Sequence, residues 1–148
     1  MDAFLQRPIF FVSNLSSSLS MFKNVLGFTE NYRLEHERDT FSHRLFGLPL
    51  ELSTTFVTLD LPSQERCLAL LAPEADYVHL KGAPSAGLVV RVPSVECVYE
   101  QVQALGLRCE VIKREPNPEQ GPPRTEGAFY DYDGNPIVVF DFNPSVMR

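Results

Sequence analysis

The stretch GAFYDYDGNPIVVFDF, Gly127 to Phe142, decides the reading of this chain. Apolar and aromatic residues run into Asp131-Tyr132-Asp133-Gly134-Asn135 and out again through Pro136–Phe142. Gly and Asn tolerate positive φ and Asp caps a turn locally, so two strands joined by a tight turn are predicted, with Asp133, Gly134 and Asn135 assigned to turn geometry. The segment before it, PNPEQGPPRTEG (Pro116–Gly127), reads as a Pro/Gly-rich loop, either a lid or a plain surface connection.

Working upstream, AGLVVRV (Ala86–Val92) reads as a strand. Ser94 caps a helix that carries Val95, Val98, Val102 and Leu105 on one face, and Gly106 stops it. RCEVIKRE (Arg108–Glu115) reads as the next strand. The same order is found at the start of the chain. RPIFFVS (Arg7–Ser13) is a strand, Asn14 caps a helix bearing Leu15, Leu19, Phe22 and Leu26, and Gly27 ends it. FTENYRLEHER is a second strand, TFSHRLFGLP a short helical connection, and TTFVTLDL and RCLALLA two further strands with PSQE between them. The order β-α-β-β-β thus occurs twice: Gly27 follows Asn14 by 13 positions and Gly106 follows Ser94 by 12. The chain reads as one α+β domain over 1–148, with module one at 7–73, a linker at 74–85 and module two at 86–142.

Composition bounds the function. With 148 residues, 44% hydrophobic and 22% charged, the chain can bury a core. Its formal net charge of −6 and lack of a basic cluster argue against nucleic acid as a partner. The three cysteines, Cys67, Cys97 and Cys109, are widely spaced, as expected for buried thiols in a reducing compartment. The start MDAFLQRPIFFV has no long apolar signal region, and no run approaches the roughly 18 apolar residues of a membrane span. A cytoplasmic protein with no membrane partner is expected. No P-loop, GxGxxG, GxSxG or HExxH occurs.

The segments VSNLSSSLSMFKNVLGF, VPSVECVYEQVQALGL and DYDGNPIVVFDF resemble the vicinal oxygen chelate superfamily: glyoxalase-type lyases, extradiol dioxygenases, fosfomycin-resistance transferases and bleomycin-resistance binding proteins. The resemblance implies two βαβββ modules whose curved mixed sheets enclose a U-shaped cavity, and a homodimer. It also implies four inward metal-ligand positions, usually His, Glu or Gln. Counted from the helix caps and the turn, these fall on Arg7, Ala69, Gly87 and Val138. None is an ordinary metal ligand: Arg keeps its proton, and Ala, Gly and Val have no donor side chain. No metal and no other cofactor is therefore expected at that site. His36, His43 and Glu51 are the candidates for a relocated one; for His36, His43 and His79 the structural reading is preferred.

Strand alternation carries the inference to neighbouring positions. Ile9, Phe11 and Ser13, Cys67 and Leu71, Val89 and Arg91, and Phe140 with Phe142 share the face of the four positions. The candidate ligand-binding residues are Phe11, Val89, Arg91, Tyr130, Val138 and Phe140; none is assigned a catalytic role. Arg91 either forks onto a ligand oxygen or pairs with an acid such as Glu110. Tyr130 either hydrogen-bonds a ligand or packs as a rim aromatic. Two functions stand. The first is a metal-free protein of the bleomycin-resistance type that sequesters or carries an apolar or aromatic small molecule. The alternative is an enzyme, either metal-free with Arg91 and Tyr130 polarising a carbonyl, or metal-dependent with relocated ligands (a lyase, isomerase or dioxygenase).

Overall fold

Asn14 and Ser94 cap helices as their chemistry dictates. The Asn14 side chain accepts the Ser17 N–H at 3.0 Å and the Ser94 hydroxyl accepts the Cys97 N–H at 3.2 Å. Gly27 and Gly106 leave those helices at φ +78° and +75°, a conformation nearly free for Gly alone. A computed structural model describes residues 6–77, 87–116 and 122–142. The chain divides into two units, Met1–Lys81 and Gly82–Arg148.

The first unit runs β1 (Ile9–Phe11), α1 (Leu15–Asn24), β2 (Thr29–Glu37), α2 (Phe41–Phe46), β3 (Thr54–Leu61) and β4 (Gln64–Pro73). Its sheet has the order β1-β4-β3-β2, with β1 parallel to β4 and the other pairs antiparallel. One face buries Phe10, Val12, Val57, Leu59, Leu68, Leu70 and Ala72, and α1 contributes Leu19, Met21 and Phe22. The second unit runs β5 (Leu88–Arg91), α3 (Val95–Ala104), β6 (Lys113–Glu115), β7 (Arg124–Tyr130) and β8 (Pro136–Asp141). Its order is β5-β8-β7-β6, again with one parallel pair, β5 with β8. Both sheets are mixed and four-stranded, and the fold is two βαβββ-like modules of the α+β class.

Three sequence expectations need correction. The strand predicted at Arg108–Glu115 is regular only at its end. Glu110 N–H still donates to Ala128 and Tyr130 N–H to Arg108, but Val111 bulges outward, 92% exposed, and interrupts the ladder. The predicted loop Pro116–Gly127 gives way to strand at Arg124, where Thr125 and Gly127 alternate into the core; residues 117–121 lie outside the described ones. In the turn, Asp131 rather than Asp133 is the cap. Its Oδ1 accepts the N–H groups of Asp133 and Asn135 at 2.9 and 2.8 Å, because the first turn residue is the one whose carboxylate reaches forward.

Helix α3 is fixed to its sheet by two contacts that sequence patterning did not show. The buried Asp141 carboxylate accepts the Val95 N–H at 2.7 Å, supplying an anion at a helix N-terminus. Tyr99 lies on Gly127, and its hydroxyl accepts the Ala128 N–H at 2.8 Å while donating to the Glu110 carbonyl at 2.7 Å.

In the first unit Glu74 ties together the ends of three strands. It accepts the His36 N–H at 2.6 Å, Ser53 Oγ at 2.5 Å and Thr55 Oγ1 at 3.0 Å, and lies 2.9 Å from His36 Nδ1. These bonds, the Ser53 hydroxyl first, hold its carboxyl at about 2 against an ordinary 4.5. A group whose pKa folding lowers contributes stability above its unfolded value and loses it as pH falls toward the folded one. Glu74→Gln is thus expected to cost about 1 kcal/mol at pH 7, since the network is solvent-screened. Urea titrations should show that cost shrinking below about pH 4.5 and vanishing near pH 2. A pH-independent difference would remove Glu74 ionisation from the account.

Candidate functional site

The sheet of the second unit has one face on α3 and one that carries no helix among the described residues. Ile137, Val139 and Asp141 on β8, and Thr125, Gly127 and Phe129 on β7, are buried on the helix side. Alternation puts Val138 and Phe140 on the other face. The register sets Val89 beside Val138 and Arg91 beside Phe140 on one flank, and Ala128 beside Val138 and Tyr130 beside Pro136 on the other. Five sequence-derived candidates, Val89, Arg91, Tyr130, Val138 and Phe140, are therefore brought to one surface. Val89 is 70% exposed.

This surface is graded. Towards β5 and β8 it is apolar: Val89, Val138 and Phe140, with Phe142 stacked edge-on to Phe140 at 5.3 Å between ring centroids. Towards β6 it is a lattice of opposite charges, with Glu115 between Lys113 and Arg124 (2.7 Å) and Arg124 also on Glu126 at 2.6 Å. Arg91 stands at the apolar end. Its guanidinium lies 4.7 Å from the centre of the Phe142 ring, and among the described residues it has no hydrogen bond or ion pair. Glu110, weighed as its partner, instead accepts the Tyr130 hydroxyl at 2.9 Å. That hydrogen bond, with some loss of solvation, raises the Tyr130 pKa above its ordinary value. Arg108 stacks 3.9 Å from the centre of the same ring. Tyr130 is thus a held, protonated phenol whose proton is already donated.

Phe11 lies in the other unit. It shares the helix-free face of that sheet with Ile9, Leu71 and Phe56, but this face is covered from within. Leu48 packs against Phe11 and Leu71, and Phe46, Leu52 and Tyr77 complete the cluster. Phe11 is 9% exposed and meets Phe46 at 5.8 Å and Tyr77 at 6.4 Å. The cover is held by His43, itself fully buried. His43 Nδ1 accepts the Thr40 N–H at 3.2 Å and lies 2.8 Å from Thr40 Oγ1, and Nε2 donates to the Leu52 carbonyl at 2.7 Å. In the sequence, Thr40, a helix cap three residues before His43, is the signal that gives the imidazole a partner.

The four positions assigned to metal by resemblance do not fit an ion. Arg7 donates to the Arg66 carbonyl at 3.2 Å, Ala69 is buried opposite Ile9, and Val138 lies between Val89 and Ala128. Gly87 has no room for any side chain: a Cβ there would meet the Pro136 carbonyl oxygen and stand 2.8 Å from Pro136 Cγ. Of the relocated candidates, both His43 nitrogens are engaged, His36 is engaged with Glu74, and Glu51 is exposed on another segment. Among the described residues no three His, Cys, Asp or Glu side chains come together as a metal site; His79 lies outside them. Among the described residues, too, no helix is long and apolar enough to cross a membrane.

The family model described as Glyoxalase/Bleomycin resistance protein/Dioxygenase superfamily matches residues 5–139. No curated protein matches the chain in sequence. Several solved structures share its fold. A glyoxalase family protein from Bacillus cereus has a TM-score of 0.69 at 12% identity, covering 93% of this chain and 92% of its own. The trypanothione-dependent glyoxalase I of Leishmania major has a TM-score of 0.64 at 15% identity, covering 99% and 90%. The fosfomycin resistance protein FosX of Listeria monocytogenes, solved with Mn(II) and sulfate, has a TM-score of 0.57 at 18% identity, covering 98% and 97%. At these identities the likeness is one of fold.

Proposed function

Since this chain belongs to the glyoxalase/bleomycin resistance protein/dioxygenase superfamily, we propose that it is a metal-independent member that binds a small molecule, sequestering or carrying an apolar or aromatic compound without making or breaking a bond. The observation that carries the reading is the donor set. At the positions where the resemblance implies ligands stand Arg7, Ala69, Gly87 and Val138, and Pro136 closes the space that a ligating residue at 87 needs. In place of donors, the helix-free face of the second sheet offers Val89, Val138 and Phe140 with one flanking Arg, the composition of a small-molecule surface.

The metal-free enzymatic alternative requires Arg91 and Tyr130 to act on one carbonyl. The register opposes this. Arg91 pairs with Phe140 on one side of β8 and Tyr130 with Pro136 on the other, four residues away. At ordinary strand spacings their Cα atoms are roughly 16 Å apart, and the Tyr130 proton is engaged by Glu110.

Elemental analysis tests the proposal. Protein purified without an affinity tag, then dialysed against manganese, iron, nickel and zinc, is expected to retain well under one equivalent of any of them. One tightly held ion per chain would overturn it and return attention to His36, His43 and Glu51.

A further inference from the structure

We infer that the ligand taken by the second sheet is a small monoanion with a flat apolar body, of the aromatic carboxylate class, whose carboxylate is received by Arg91. The inference rests on the binding reading above and adds a charge and a shape to it. The chain carries a formal charge of −6, with 19 acidic residues to 13 basic ones. Even so, the Arg91 guanidinium has no carboxylate among the described residues: Glu126, which faces Phe140 from β7, is held by Arg124 at 2.6 Å, and Glu110, farther out, accepts the Tyr130 hydroxyl. Arg33, Arg44, Arg114 and Arg124 are ion-paired, and Arg108, another guanidinium over an aromatic ring of this unit, lies on Tyr130 rather than beside the apolar strip. Contact with Phe142 restrains Arg91 while consuming none of its N–H donors. A guanidinium held in this way loses little further freedom when a planar carboxylate takes two of those donors. Beside it, Phe140, Val138 and the 70% exposed Val89 form an apolar strip that a flat hydrocarbon body would cover. The charge lattice of Lys113, Glu115, Arg124 and Glu126 is internally neutralised and offers a second anion nothing.

The test is calorimetric titration of the full chain with naphthalene-2-carboxylate, its primary amide and 2-naphthylmethylamine, with the Val89 and Val138 methyl resonances followed in parallel. The acid is expected to bind about 10-fold or more tighter than the amide, with the amine weakest, and to shift both valines. Arg91→Gln should abolish the preference for the acid, lowering its affinity about 10-fold or more. Arg114→Gln, which alters a guanidinium held by Glu96, should change nothing. Equal binding of acid and amide at these valines would overturn the anionic class while leaving the binding reading intact. A preference that survives Arg91→Gln, or no shift at Val89 and Val138 with any of the three, would also overturn the inference. Failure of the metal-independent reading would appear separately, as a bound ion.

Discussion

Gly127→Val is expected to destabilise the protein by about 3–4 kcal/mol, far more than a surface strand substitution costs. A Cβ built on Gly127 would stand 2.5 Å from Tyr99 Cε1, 2.6 Å from its hydroxyl oxygen and 2.8 Å from Cζ. The ring cannot yield freely, because its hydroxyl is pinned between the Ala128 N–H and the Glu110 carbonyl at 2.8 and 2.7 Å. Moving it leaves a partly buried N–H and C=O unpaired, which costs about 1–3 kcal/mol beyond the steric term. Even Gly127→Ala introduces the offending atom and is expected to cost about 2–3 kcal/mol. Chemical unfolding of a double-mutant cycle isolates the cause. Tyr99→Ala is destabilising alone, yet in that background Gly127→Ala should cost about 0.5 kcal/mol or less, since the space has been vacated. Equal costs of Gly127→Ala in both backgrounds would mean that the close approach of helix and strand is not what Gly127 provides.

Gly127 also marks the limit of what the sequence disclosed. Local chemistry was legible. Asn14 and Ser94 cap, Gly27 and Gly106 stop, and alternation along β5 and β8 places Val89, Arg91, Val138 and Phe140 on one face, because each of these is decided within a few residues of chain. What is decided across the chain was not legible. Nothing near Gly127 announces that Tyr99, 28 positions earlier, lies on it. Nothing near Arg91 announces that Glu110 has been taken by Tyr130. The bulge at Val111 and the early start of β7 at Arg124 belong to the same class, since a ladder ends where its neighbour's register fails rather than where a residue type changes.

The two modules therefore diverge where the sequence made them look alike. Both have a helix on one face of a mixed four-stranded sheet, and both have an apolar stripe on the other. In the first, that stripe is completed by α2 and the residues around it, so Phe11 and Leu71 are core and Ile9 is partly buried against them. In the second, no helix among the described residues occupies the corresponding face, and Val89 and Arg91 remain exposed. The difference follows from one element, the helical connection between β2 and β3, which has no helical counterpart among the described residues between β6 and β7.

His43 is what keeps that element in place, and His43→Ala is expected to cost about 2–4 kcal/mol. The ring is fully buried and spans the segment: Nδ1 takes the Thr40 N–H at the start of α2, and Nε2 donates to the Leu52 carbonyl nine residues on. Its loss leaves two polar backbone groups unpaired and the volume of a fully buried ring unfilled, so the penalty combines a transfer cost with two broken hydrogen bonds. The consequence reaches Phe11, because Phe46, Leu48 and Leu52 cover it only while the segment is closed. His43→Ala should therefore raise binding of a fluorescent hydrophobic dye as well as lower the unfolding midpoint, whereas Leu45→Ala, at an exposed position on the same helix, should leave the dye signal near that of the wild type. A variant that loses less than about 1 kcal/mol and binds no more dye would show that the apolar packing of Leu48 and Phe46, rather than the imidazole, closes the face.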